Sequence, residues 1–119
     1  MSDEADFGQL AEDLSPDDLR TVLGVFASDV KRLTANLNAA AAAQDVATFR
    51  RVAHGLAGAA GAVGAKALEQ ACRVAMMRTE LPPSRLGPAA DAIDALGDSA
   101  LAQLDAFLAQ HGGADRHSG

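Results

Sequence analysis

Between Leu19 and Leu37 the residues Leu19, Val22, Leu23, Phe26, Val30, Leu33 and Leu37 recur at steps of three and four. That spacing lays one apolar stripe along an α-helix, whereas a half-buried strand would alternate every second residue. A striped helix must cover its apolar face with another element. Further stripes are at hand. Leu68, Ala71, Cys72 and Ala75 form a short one, and Ile93, Leu96, Ala100, Leu104, Phe107 and Leu108 a longer one. No segment alternates as a strand does, and no long repeat is present. Hydrophobic residues make up 49% of the 119, Ala dominates them, and the chain has four Phe but no Trp or Tyr. A core of small and aliphatic side chains favours closely packed helices over sheets, which prefer β-branched and aromatic residues.

Punctuation divides the chain into helices. A short one is expected within Asp3–Asp13. In "SPDD", Ser15 is placed as N-cap, Pro16 at the first helical position and acids in the first turn, a strong start signal. That helix fades in the alanine run near Gln44, and Asp45 is the N-cap of the next, which Gly64 ends or interrupts. A third spans about Lys66 to Thr79. "LPPSRLGP" reads as a loop, and the last helix starts between Ser84 and Pro88. The expectation is an all-α fold: an antiparallel up-down four-helix bundle with a short N-terminal helix capping one end. One domain covers residues 1–111, and "GGADRHSG", residues 112–119, is expected as a disordered tail.

Charge and cysteine content narrow the function classes. The net charge of −6 argues against nucleic acid as the main partner. A single cysteine excludes an intrachain disulfide and fits a reducing compartment. The acidic start "MSDEADFGQL" lacks the basic region of a secretory leader, and no apolar run is long enough to span a bilayer. A cytoplasmic protein is therefore expected. Charge is also uneven along the chain. Asp3, Glu4, Asp6, Glu12 and Asp13 crowd the start, whereas from Val46 to Thr79 the bases Arg50, Arg51, Lys66, Arg73 and Arg78 meet only Glu69. A locally basic segment thus sits inside an acidic protein.

That segment contains "RRVAHGLAGAAGAVGA", Arg50 to Ala65, a helix weakened by Gly55, Gly58 and Gly61, each costing about 1 kcal/mol against Ala in a helix interior. At about 100° per residue from Phe49, Leu56 and Ala60 fall within about 20°, and Ala53 and Val63 within about 40°, which defines the core face. His54 falls at about 140°, Gly61 at about 120°, Gly58 at about 180°, Arg50 at about 100° and Arg51 at about 200°. The histidine therefore points outward, and Gly58 and Gly61 are expected to strip side chains from the surface around it. Such a face would let another macromolecule come close to the ring.

A lone exposed imidazole limits the chemistry. A hydrolytic triad needs a nucleophile, a base and an orienting acid, and Cys72, on an apolar stripe, reads as a buried thiol rather than a nucleophile. Metal binding needs several ligands, but His111 stands at the edge of the expected tail and His117 within it, and no carboxylate stands one turn from His54. What remains is imidazole as a nucleophile that accepts a group from a partner supplying the rest of the site.

"AHGLAGAAGAVGAKALEQAC", Ala53 to Cys72, resembles the histidine-containing phosphotransfer (HPt) domains of bacterial two-component phosphorelays. Their pattern is roughly A-H-x-L-K-G, then Gly ten residues after the histidine, then Leu and often Cys; Ala53, His54, Leu56, Gly58, Gly64, Leu68 and Cys72 match it. The resemblance implies that His54 takes a phosphoryl group on Nε2 from the aspartyl phosphate of one receiver domain and passes it to an aspartate of another. It implies response-regulator receivers and a (hybrid) histidine kinase as partners, and a phosphoryl carrier with no autonomous catalytic site. No cofactor is implied for this chain, because Mg²⁺ and the acidic pocket belong to the receiver. Gly58 would leave room for the receiver's loops. One departure stands out: the family usually has Lys where this chain has Ala57. Arg50 and Arg51, one turn before His54, are the candidate substitutes. No metal site is expected in the chain, and a monomer is.

Two other readings are compatible with the residues. One is an HPt-like binding module that docks on a receiver or kinase and inhibits it without phosphotransfer; His54 and the glycines favour transfer, and Ala57 alone pulls the other way. The other is the phosphoacceptor domain of a chemotaxis kinase, cut from a longer chain.

Overall fold

The structure, a computed structural model, describes residues 7–77 and 82–118. Residues 3–6 of the first expected helix, Arg78 and Thr79 of the third bundle helix and Leu81 of the loop lie outside them. The described chain is helical with no strand. Helix α1 is Phe7–Asp13, α2 Pro16–Ala42, α3 Val46–Val63, α4 Lys66–Met77 and α5 Leu86–Ser118, the last preceded by one 3₁₀ turn at Pro83–Arg85.

The starts follow their caps. Ser15 has extended backbone, its Oγ accepts from the Asp18 amide at 3.2 Å, and Pro16, Asp17 and Asp18 follow, which satisfies an orphan amide and sets acids against the helix dipole. Asp45 caps α3 in the same way, accepting from the Thr48 amide at 3.1 Å and the Thr48 hydroxyl at 2.7 Å. These bonds, that from the hydroxyl foremost, hold the Asp45 carboxyl below its usual range, and the nearby Arg51 adds to the effect.

The ends of α2 and α3 share one bonding pattern. Past α3, the Ala65 amide reaches the Ala60 carbonyl at 2.9 Å and the Gly64 amide the Gly61 carbonyl at 3.3 Å, with Gly64 left-handed at φ 82°. Past α2, the Asp45 amide reaches Ala40 at 2.9 Å and the Gln44 amide Ala41 at 3.0 Å, with Gln44 at φ 55°. Both are Schellman closures. Only at the first does glycine occupy the left-handed position, where a Cβ is strained.

The core lies between α2, α3, α4 and α5. Each of α2 and α4 packs on both α3 and α5. Leu19, Leu23, Phe26, Val30, Thr34, Leu37 and Ala40 are the buried face of α2. Val22 and Leu33 of the expected stripe are only half-buried, and Thr34 joins the core instead. Its hydroxyl donates to the Val30 carbonyl at 2.7 Å, so its burial leaves no polar group unsatisfied. Opposite it on α5, a Cβ on Gly97 would come within 3.2 Å of Val30 Cγ1, so the two helices approach over a bare backbone.

Helix α1 caps one end. Phe7 is buried, with ring centroids 6.4 Å from Phe26 and 5.7 Å from Phe107. Gln9, Leu10 and Asp13 border a hollow with Gly61–Gly64 and Lys66. Leu86, Gly87 and Pro88, read as loop, form the first turn of α5, where the amide that proline lacks would be unpaired in any case. Residues 112–118, expected as a tail, continue α5 to Ser118. Gly112 and Gly113 weaken a helix by about 1 kcal/mol each without breaking its bonding. No described helix is long and apolar enough to cross a membrane.

Gln44→Gly should raise the unfolding free energy by roughly 0.5–1 kcal/mol, and Gly64→Ala should lower it by about 1 kcal/mol or more. Urea denaturation of both variants checks this; equal effects of one sign would contradict the assignment of the two ends.

Candidate functional site

His54 lies mid-way along α3, exposed, with its Nδ1 3.2 Å from Met76 Sδ of α4. The core face of α3 is Phe49, Ala53, Leu56, Ala57, Ala60 and Val63. Phe49, Ala53, Leu56 and Ala60 are at 0% exposure, so the helical angles place the ring as expected.

The links between α3 and α4 are in antiparallel register. His54 faces Met76 and Gly61 faces Glu69, so an advance of seven residues on α3 matches a retreat of seven on α4. Only Gly64 and Ala65 separate these helices. Between Met76 and Glu69 on the same edge stands Arg73, whose Nε and Nη2 contact Glu69 Oε2 at 2.9 and 2.8 Å. The single acid of the basic segment is therefore paired on its own helix.

The three glycines differ. A Cβ on Gly55 or Gly58 would meet nothing within 4 Å; Gly58 is the open surface expected beside the ring, whereas Gly55 lines the groove between α2 and α3. Gly61 departs from that expectation, for a Cβ there would fall 2.9 Å from Glu69 Oε2. Its missing side chain makes room for the Glu69 carboxylate of α4 rather than for a visitor.

The residues expected around a transferred group are also rearranged. Ala57 is 1% exposed and belongs to the core. At about 80° from Phe49 it lies on the side of α3 toward α4, inside the helix contact, and cannot touch a partner. Arg50 is half-buried. It stays on the His54 side by angle, one turn before the ring. Arg51 turns the other way: its Nη2 reaches Thr48 Oγ1 at 3.5 Å, and it lines a groove between α2 and α3 with Arg32, Asn36 and Gly55. The two arginines therefore do not form one pair beside the histidine.

Cys72 is fully buried, and burial pushes its thiol up to about 12, so it carries no thiolate near neutrality. Among the described residues no three of His, Cys, Asp and Glu stand close enough to hold a metal ion. The side chains of His111 and His117 are outside the description. Met76 was missed by the sequence reading: a methionine near a helix end carries no signal until the register of α3 and α4 is known.

The site amounts to one exposed imidazole, anchored on its inner edge by a thioether and bare on its outer edge. Among the described residues no carboxylate or second nucleophile bonds the ring, and an exposed imidazole of this kind can act as a nucleophile or base toward groups a partner brings. Compared with known proteins, the chain matches the family model described as the Hpt domain over residues 21–110. No curated protein matches it, and no solved structure does.

Gly58→Ala should raise the unfolding free energy by about 0.5–1 kcal/mol, the helix-propensity gain at an open position. Gly61→Ala should gain less, since the Glu69 carboxylate has to move. Thermal unfolding of the pair checks the order; an equal gain at Gly61 would contradict the contact.

Proposed function

The chain belongs to the Hpt domain family, whose role is histidine phosphotransfer in two-component phosphorelays, and from that premise we propose that His54 carries the phosphoryl group, taking it from one receiver aspartate and giving it to another. Hpt domains interact with receiver domains and histidine kinases. The observation that carries the reading is the exposed His54 ring beside Gly58, where an added side chain would meet only open space.

The chemistry asks little of this chain. The Nε2 lone pair forms the N–P bond as the P–O bond to the donor carboxylate breaks, and the electron pair leaves with that carboxylate. Transfer to the second aspartate is the reverse. The acidic pocket and Mg²⁺ belong to the receiver in this reading. The catalytic contribution of the Hpt chain is placement: a rigid helix that brings the nucleophile into line. A neighbouring cation would strengthen the transition state through charge-assisted contacts to the phosphoryl oxygens. Ala57 supplies none, and Arg51 is held toward α2, so Arg50 is the arginine of the pair that suits this task. The protein works as a cytoplasmic monomer in this reading.

Two experiments test it. His54→Gln, incubated with a phosphorylated receiver, should take up no acid-labile phosphate; undiminished label on the variant would move the site elsewhere, and label-free wild-type protein that still binds the receiver would make it a docking module. Gly58→Glu should unfold at the same or a higher temperature, since glycine is a poor helix former, yet transfer about tenfold more slowly, because a carboxylate there crowds and repels an acidic pocket. A variant that is both stable and fast would show that partners dock on another face.

A further inference from the structure

The contact between His54 and Met76 has a direction. A thioether sulfur carries no hydrogen and can only accept. With Nδ1 3.2 Å from Met76 Sδ, the contact is a hydrogen bond when the ring proton sits on Nδ1. Packing alone would put the sulfur about 5 Å from the ring, and a sulfur this near one nitrogen is a polar contact. We propose that Met76 is a positioning residue for His54: by accepting the Nδ1–H it holds the neutral ring in the tautomer whose lone pair is on Nε2, and turns that nitrogen outward. The proposal rests on His54 being the phosphoacceptor.

The rest of the site agrees with it. Nδ1 faces α4, so Nε2, across the ring, lies toward the open surface. Among the described residues no carboxylate bonds the imidazole, and the polar atom set against it is the Met76 thioether sulfur. Free histidine side chains favour the other tautomer, with the proton on Nε2, where it would block attack on phosphorus. As the N–P bond forms, the ring gains positive charge and the Nδ1–H becomes a stronger donor. Part of that charge is already present in the transition state, so the sulfur interacts more strongly there than with the free ring, the kind of difference that speeds a reaction. Met76 is half-buried while its neighbour Met77 is 73% exposed. The helix therefore commits the first of the two methionines to the contact, and an unbranched side chain can reach a ring edge that a branched one cannot.

The test uses Met76→Leu, which keeps the volume and loses the acceptor, and Met76→Gln, whose amide oxygen restores one. The ¹⁵N shifts of the neutral imidazole, assigned to His54 by their loss in His54→Gln, report which nitrogen carries the proton. The expected result is Nδ1–H in the wild type and in Met76→Gln, with a shift toward Nε2–H in Met76→Leu. Phosphotransfer should slow about threefold in Met76→Leu, the rate equivalent of a hydrogen bond at the weak end of the neutral range, and recover in Met76→Gln. An unchanged ring spectrum in Met76→Leu, with transfer intact, overturns the role of Met76 and leaves His54 as phosphoacceptor. A changed spectrum with an unchanged rate overturns the role as well. Wild-type protein that accepts no phosphoryl group overturns the reading of His54, and the role of Met76 falls with it.

Discussion

The packing of α3 on α4 is the constraint on which the rest of the site depends. Ala53, Ala57 and Ala60 on one helix and Leu68, Cys72 and Ala75 on the other are all buried. Small side chains let the two backbones come close, and close packing fixes register, because a shift would drive Leu68 into a methyl or leave a void. The Schellman closure at Gly64 fixes the same register from the end of the pair. From this one alignment come the His54–Met76 contact, the place for Glu69 against Gly61 and the burial of Ala57. Each is a consequence of register rather than a separate feature.

This explains what could be read from the residues alone. Caps and stripes are local, so Ser15, Asp45 and Gly64 marked their helix ends, and the angular separation of His54 from Phe49 gave the outward ring. Register between helices is not local. Gly61 at about 120° and Gly58 at about 180° look alike on one helix, and only α4 tells them apart, by bringing Glu69 to the first. The resemblance sets Ala57 at the place of the usual family lysine, which implies a position facing the partner, but in this chain that side of the helix is covered. Thr34 was passed over because it is polar, although its hydroxyl can bond its own helix. The two arginines are adjacent in sequence yet about 100° apart around the helix, enough to send Arg51 to the groove beside α2.

The glycines also find separate physical reasons. Gly64 is needed for its left-handed backbone, Gly97 for close approach to Val30, and Gly61 for the Glu69 carboxylate. Gly55 and Gly58 have none of these, since neither a turn nor a neighbour requires them. Each weakens α3 by about 1 kcal/mol. The helix tolerates this because fully burying Phe49 or Leu56 returns about 1.5–3 kcal/mol apiece, and both are at 0% exposure. Gly24 of α2 is equally open, so an open glycine does not by itself mark a docking face; what sets Gly58 apart is its place one turn from His54, where the proposed partner approaches.

That approach defines how labour is divided. A ring with one weak acceptor behind it and open surface before it is well oriented but poorly assisted. An internal carboxylate in place of Met76 would make the ring more basic and hold a proton more firmly, and would add negative charge where a dianionic group must arrive. A thioether orients without charge. Among the described residues of α4, Glu69 stands seven residues, two turns, from Met76 and is paired with Arg73. In the proposed reading, cationic help at His54 comes from Arg50 and from the partner. For a carrier that must both accept and release the same group, weak assistance has an advantage: a site that strongly stabilised phosphohistidine would deepen the well from which the group must leave and so slow unloading.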